Sequence, residues 1–372
     1  MAKPRFLLIL AAALLCAFLL WPRTLPGWER PEAAPILQSQ QLHRSLRQAI
    51  QCLSPVSQGD QDALEVLLIQ QGFSTLDTCA QMPAYLANPQ PLLRFCAGEA
   101  PSATVFQLAG SSLSCLHFFT QGRDRFCLTA LVEWDSSGAP FVQETQLLPL
   151  YDMELVQENT LYYRLYPAGD PHYIDYAYFR LTPPDPDLEE LCRQCIQSVG
   201  YRFVNLFLCD WEEGHWGELS LPDLFEYLSP LETGQPVDFS AYPAVDGDWV
   251  QVPQGQMVAA LSPYFQMDEE TLTQRCGFRD GCCLWRPIHG DDLTVWELPL
   301  YLPEVTACQV HPDGTKTLQV QVRCPEYKCN DYFTHEVTIR PTETGFQYVS
   351  NRITSGWEHL PPSASRRELF PG

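Results

Sequence analysis

An α+β fold is what this sequence predicts: antiparallel meander sheets packed with short helices, in two regions behind an N-terminal membrane segment. Three observations predict it. Period-two alternation recurs along the chain, as in Leu318, Val320, Val322 and Cys324 against Thr317, Gln319, Gln321 and Arg323. That is a strand with one buried face and one wet face. Helical stripes bounded by proline and glycine stand between the strand runs. The chain also opens on Lys3 and Arg5 followed by an unbroken apolar run, residues 6–21, the form of an export signal or anchor.

Composition narrows the class. With 372 residues, 45% hydrophobic and 12% aromatic, the chain has material for two cores and is not a disordered one. A net charge of -22 repels phosphate backbones, so nucleic acid is excluded as a partner. Fifteen cysteines are present, fourteen once Cys16 in the apolar run is set aside. An even number in an exported chain predicts disulfides, with a connectivity that spacing does not give.

In chain order, residues 1–23 are a signal peptide or membrane anchor and 24–38 a spacer. Residues 39–230 form the first α+β domain. Leu42, Leu46, Ala49, Ile50 and Leu53 make one helical stripe. A second helix runs over residues 60–71 with Leu64, Leu67 and Leu68 inward and Gly72 as its cap. A third, short helix precedes Pro83 or Pro89. Strands at 103–109, 112–119, 125–134 and 141–150, then three more to residue 181, form a meander packed on these helices. The rings from Tyr162 to Phe179 read as sheet surface, with a ligand-stacking platform as the sharper alternative. Asp185 then caps a helix with Pro186 at its first position; Leu188, Leu191, Cys192, Cys195, Ile196 and Val199 are its buried stripe and Gly200 its stop. A strand over 201–209, a polar loop over 210–217 and a short helix at 221–228 follow. Residues 231–248 are the weakly periodic boundary. The second, smaller α+β domain covers 249–354: helices after Pro253 and Asp268, strands at 282–287 and 293–298, then a three-stranded meander turned by Asp313-Gly314. Residues 355–372 are a tail.

No catalytic residue is assigned, and no metal or cofactor is expected. Cys192-Arg-Gln-Cys195 lies mid-helix on the core stripe, whereas thioredoxin-like chemistry needs its first thiol at a helix N-terminus. Structural bridging fits it better, with a zinc knuckle as the rival. Cys282 and Cys283 point to opposite faces and bridge different partners, while Cys324 pairs with Cys329 across a short loop or with Cys308 across strands. His335 falls in the inward phase, a hydrogen-bonded core histidine ahead of a ligand contact. Asp210, Glu212 and His215 form a polar loop beside Trp211 and Trp216, where a carboxylate–histidine pair would hold a metal or move a proton. Asp246 with Asp248 and Asp291 with Asp292 lack the spacing of a calcium loop. Motifs of zinc proteases, serine hydrolases, phosphate loops and dinucleotide sites are absent.

The segments "VPQGQMVAALSPYFQMDEETL", "HPDGTKTLQVQV", "YFTHEVTIRP" and "GFQYVSNRI", with "YAYFRL" and "YRFVNLF" upstream, resemble an uncharacterised family of exported and lipid-anchored proteins from gut-dwelling Clostridia-type bacteria. The resemblance covers about residues 150–353. It implies export and a place at the cell surface, and carries over no catalytic residue. Cys16 follows Leu14 and Leu15, a poor context for lipid attachment. The expectation is thus an exported, membrane-tethered protein of unknown function, anchored through residues 6–21 on the extracytoplasmic face or secreted if that segment is cleaved. It is expected to act as a non-catalytic binding or structural module toward a cell-surface glycan, peptide or protein. The alternative is an extracytoplasmic hydrolase using scattered carboxylates on a glycan or peptide.

Overall fold

Strands form where β-favouring residues alternate, and turn residues interrupt them. The structure, a computed structural model, describes residues 61–77, 85–109, 112–137, 140–166, 175–247, 249–287 and 300–360. Helix α1 (Gln61–Gln70) ends at Gly72, whose φ is +86°, and leads into β1 (Ser74–Asp77). Next come β2 (Leu86–Ala87), α2 (Gln90–Cys96), β3 (Ser102–Ala109), β4 (Ser112–Gln121) and β5 (Asp124–Trp134). The long β6 (Pro140–Val156), β7 (Thr160–Leu165) and β8 (Asp175–Arg180) complete the first half.

These strands make one eight-stranded sheet in the order β2-β1-β3-β4-β5-β6-β7-β8. From β3 to β8 each strand pairs antiparallel with the next. Two contacts alter the open meander that the alternation predicts. Strand β1 pairs parallel with β3, and Tyr85, just before β2, bridges to Arg180 at the end of β8. The ends of the sheet meet, so the correct description is an α+β fold with a nearly closed eight-stranded barrel sheet. Closure satisfies edge groups that an open meander leaves unpaired. The barrel core gathers Val105, Phe118, Leu161 and Phe179 with Leu92 and Phe95 of α2. Tyr162 and Phe179 are fully buried, which corrects their reading as surface rings.

After the barrel, α3 (Pro186–Cys192) is capped as expected: an Asp185 carboxylate oxygen accepts from the amides of Asp187 and Leu188 at 3.0 and 3.3 Å. The helix continues as a single π turn, Arg193–Gln197. Residues 201–209 form turns and bends, not the predicted strand. Phe203 takes φ +58°, outside extended space. Asn205 then pins the loop, donating to the Glu218 carbonyl at 2.8 Å and accepting from the Ser220 amide at 2.9 Å. Burial of Val204, Leu206 and Phe207 gives this loop a strand-like composition.

The remaining elements are β9 (Trp211–Glu212), α4 (Leu221–Thr233), β10 (Ala244–Asp246), β11 (Trp249–Pro253), α5 (Gln254–Leu261), α6 (Glu269–Cys276) and β12 (Cys282–Trp285). Strands β10, β11 and β12 form a small sheet. Last come β13 (Leu302–Val310), β14 (Lys316–Cys324), β15 (Cys329–Pro341) and β16 (Phe346–Ser355). The expected three-stranded meander is thus four consecutive strands, and β9 adds to β16 as a fifth. Its inward residues Leu318, Val320, Val322, Phe333, Val337 and Ile339 are buried as the alternation predicts. They share one core with Ile196, Leu224, Phe225, Met257 and Trp285, residues from both sides of the 231–248 stretch. All described residues fall within one compact unit, Ala49–Gly372.

Among the described residues no helix is long and apolar enough to cross a membrane. The 13-residue α4 falls well short of the roughly 20 apolar residues a span needs. Against the expected membrane tether, with the membrane as partner and the cell membrane as location, the described residues supply no spanning helix. Residues 6–21, where it was placed, lie outside the described residues.

Candidate functional site

Arg180 is both the closing residue of the barrel and the head of a buried charge network. Its backbone is fixed on two sides, by Thr160 in the β7–β8 ladder and by the bridge to Tyr85. Its guanidinium reaches Glu304 of β13 at 2.5 Å. Glu304 also accepts from Arg323 of β14, through Nε at 3.0 Å and Nη2 at 2.5 Å. The register explains this second contact: Glu304 lies opposite Gln321, so Arg323 is its diagonal neighbour on the same face. Exposures of 4% for Arg323, 10% for Glu304 and 13% for Arg180 place all three largely out of water. Two cations on one anion leave a net positive charge in a poorly solvated setting. Burial works against the Arg323 charge, yet Glu304 outweighs it and holds the guanidinium above its ordinary range.

Arg323 also joins the two sheets. Its Nη1 donates to the Thr160 hydroxyl at 2.7 Å and to the Asn330 side-chain oxygen at 2.6 Å. The Tyr162 hydroxyl donates to the same oxygen at 2.7 Å. Asn330 in turn donates to Gln157 and Asn159, both at 3.0 Å. These two residues belong to the β6–β7 turn, where Gln157 and Glu158 take φ +50° and +58°, the left-handed pair of a type I′ hairpin.

Beside this network a cleft of about 440 Å³ lies between the end of the barrel and the start of β13. Its walls include Arg180, Glu304, Arg323, Glu189 of α3 and the apolar Pro183 and Val305. Two atoms of these lining residues stand out: Arg180 Nε and Glu189 Oε1 are withdrawn from water and have no hydrogen-bond partner in the protein. Each such orphan costs about 1–3 kcal/mol, and an uncompensated pair on residues lining one cleft calls for a chemical explanation.

The residues singled out in the sequence fall elsewhere, or in supporting positions. Cys192 lines the cleft, with its thiol 3.4 Å from the Pro303 carbonyl; Cys195 is buried nearby in the π turn. Burial pushes both thiols up to about 12, the reverse of a redox-active pair. The twelve cysteines of the described residues are free thiols, which corrects the expectation of disulfide staples. The Cys209 and Cys283 thiols bond to carbonyls, of Asn205 at 3.2 Å and Cys276 at 3.1 Å. Cys324 and Cys329 are register partners across β14 and β15 and both are free. Eight of the twelve serve as small buried residues, and Cys96, Cys282, Cys308 and Cys329 are half-buried. Accordingly, Cys115, Cys192, Cys195, Cys209 and Cys324 are expected to escape iodoacetamide in native buffer at pH 8 and to label fully in urea. Peptide mapping by mass spectrometry checks this, and fast native labelling of Cys192 would contradict it.

His335 is buried and neutral. Asn351 directs its amide nitrogen to the Cys209 carbonyl at 2.8 Å, so its oxygen faces His335 Nδ1, also at 2.8 Å. Nδ1 therefore donates, and Nε2 accepts from the Tyr201 hydroxyl at 2.8 Å. This is the hydrogen-bonded core histidine that the alternation predicts. In the 210–217 loop, Asp210 accepts from the Ile353 amide at 2.7 Å and Trp211 stacks on Trp216. Gly217 is required there, because a Cβ would lie 2.8 Å from the Asp210 carbonyl oxygen. Glu212 and His215 are 69% and 84% exposed, which makes them a solvated pair. Among the described residues no group of three or more His, Cys, Asp or Glu side chains is arranged to hold a metal. Asp248, Asp291 and Asp292 lie outside the described residues.

Sequence reasoning missed Arg180, Glu189, Glu304 and Arg323 as a site. It placed Arg323 on the wet face, whereas Val322, Arg323 and Cys324 are buried in succession. No local signal was available: counted outward from Val310 opposite Lys316, Glu304 would face Val322, and only a bulge between Val305 and Ala307 moves it opposite Gln321 and diagonal to Arg323.

The hydrolase alternative is also corrected. Glu304 accepts from two guanidiniums, and Asp185 is engaged as a helix cap. That leaves no facing pair of unengaged carboxylates in the cleft for acid–base work.

The chain belongs to a family of unknown function (DUF6070), which matches residues 47–367. No curated protein and no solved structure matches it.

Proposed function

We propose that this protein binds a small acidic molecule in the cleft beside Arg180. The observation that carries the reading is the orphan Arg180 Nε, on a guanidinium whose other arm already holds Glu304. An acid group there would satisfy the donor through a charge-assisted hydrogen bond. The cleft volume, about 440 Å³, lies in the range of small-molecule sites. The origin in gut Clostridia-type bacteria rests on the sequence resemblance alone.

The test is a thermal-shift screen of small carboxylates and phosphates against the wild type and Arg180→Lys, which keeps the charge beside Glu304 and loses the Nε donor. A ligand at 100 times its Kd adds about 2.7 kcal/mol of stability. A raised midpoint in the wild type and little change in the lysine variant is the expected outcome. No shift with any acid, or an equal shift in both proteins, would overturn the proposal.

A further inference from the structure

We infer that the ligand is a zwitterion of the α-amino acid type, its carboxylate on Arg180 and its ammonium on Glu189; this rests on the reading of the cleft as an acid-binding site. The two orphan atoms belong to residues that line one cleft and have opposite hydrogen-bond sense: Arg180 Nε donates and Glu189 Oε1 accepts. A simple acid satisfies only the first, and an amine only the second. A molecule with both groups satisfies the pair, and charge-assisted bonds of this kind are the strong ones.

Elimination among the carboxylates on the wall supports the choice of Glu189. Glu304 accepts from two guanidiniums, and Asp185 accepts from the Asp187 and Leu188 amides. Glu189 alone of the three has an oxygen that is buried and without a partner. The wall also mixes the apolar Pro183, Leu188 and Val305 with the neutral polar Asn159, Thr182 and Gln321, a surface for an uncharged side chain rather than a second charge. Both atoms are withdrawn from the open space of the cleft, so binding requires both side chains to reorient toward it.

The experiment is calorimetric titration of the full chain. All twenty free amino acids are first ranked by thermal shift. The best is then compared with its amide, which lacks the carboxylate, and its N-acetyl derivative, which lacks the ammonium. Both analogues are expected to bind at least about 10-fold more weakly, the loss for one charged hydrogen bond. Glu189→Gln is expected to weaken the free amino acid similarly and leave the N-acetyl form unchanged; its melting point and circular dichroism report that it is folded. Equal binding of free and N-acetyl forms, both lost in Arg180→Lys, would sink the zwitterion and leave the acid-binding reading standing. If no amino acid and no other small acid binds, both fall.

Discussion

Replacing Glu304 by leucine is expected to lower the unfolding free energy by roughly 3–5 kcal/mol, the cost of leaving buried charge uncompensated. Arg180 and Arg323 would then face each other with no anion between them, in a setting where both are largely shielded from water. The effect is not loss of shape, since leucine fills comparable space; it is unbalanced charge. The triple variant with Arg180→Leu and Arg323→Met should recover most of the loss, because replacing a whole buried ion cluster by apolar groups is often close to neutral. Recovery will be incomplete, because Arg323 also donates to Thr160 and Asn330. Urea unfolding of the wild type, single and triple variants measures both steps. A single-variant loss below about 1 kcal/mol, on the scale of a surface ion pair, would mean that the cluster is solvated in solution.

Acid is expected to destabilise the protein well before its carboxylates protonate. His335 is enclosed by Tyr201 and Asn351, and His117 is buried against the Thr104 hydroxyl at 2.8 Å. Burial lowers both rings to about 4 in the folded state, against about 6.5 in an unfolded chain. Below 6.5 the unfolded chain takes up protons that the folded protein refuses. Stability is therefore full above that pH and is lost as pH falls from 6.5 through 4. The gap corresponds to about 3 kcal/mol per ring, on the order of 6 kcal/mol for the two. Unfolding free energies at pH 7.5 and 4.5 should fall steeply in the wild type and much less in a His117→Gln, His335→Gln double variant. The same slope in both proteins would show that other groups set the acid limit.

Local elements were legible in the sequence, and what joins distant ones was not. Alternation placed Leu318, Val320, Val322, Phe333, His335 and Val337 on the buried face, because a strand's two faces are written into neighbouring residues. Asp185 and Pro186 announced α3, and Asp268 announced α6, since caps act within one turn. Closure of the barrel depends on Tyr85 meeting Arg180, a pairing that leaves no trace in either local pattern. The 201–209 segment shows the converse. Its residues are apolar because they are buried, and its path is set by Asn205 and a left-handed Phe203. An even cysteine count likewise says nothing about whether sulfurs meet, and here Cys192, Cys209 and Cys283 each point at a carbonyl. The candidate site combines both difficulties. Glu304 and Arg323 become diagonal neighbours only through a bulge between Val305 and Ala307, and Arg180 and Glu189 reach the cleft only through tertiary packing.

The claim that Arg180 holds a ligand acid in the cleft is tested most directly by a crystal structure grown with the acid that gives the largest thermal shift. The predicted result is ligand density between Arg180 and Glu189, with an acid oxygen within hydrogen-bond distance of Arg180 Nε. Ligand bound away from Arg180, or Arg180 Nε donating to a carbonyl of the protein itself, would contradict it.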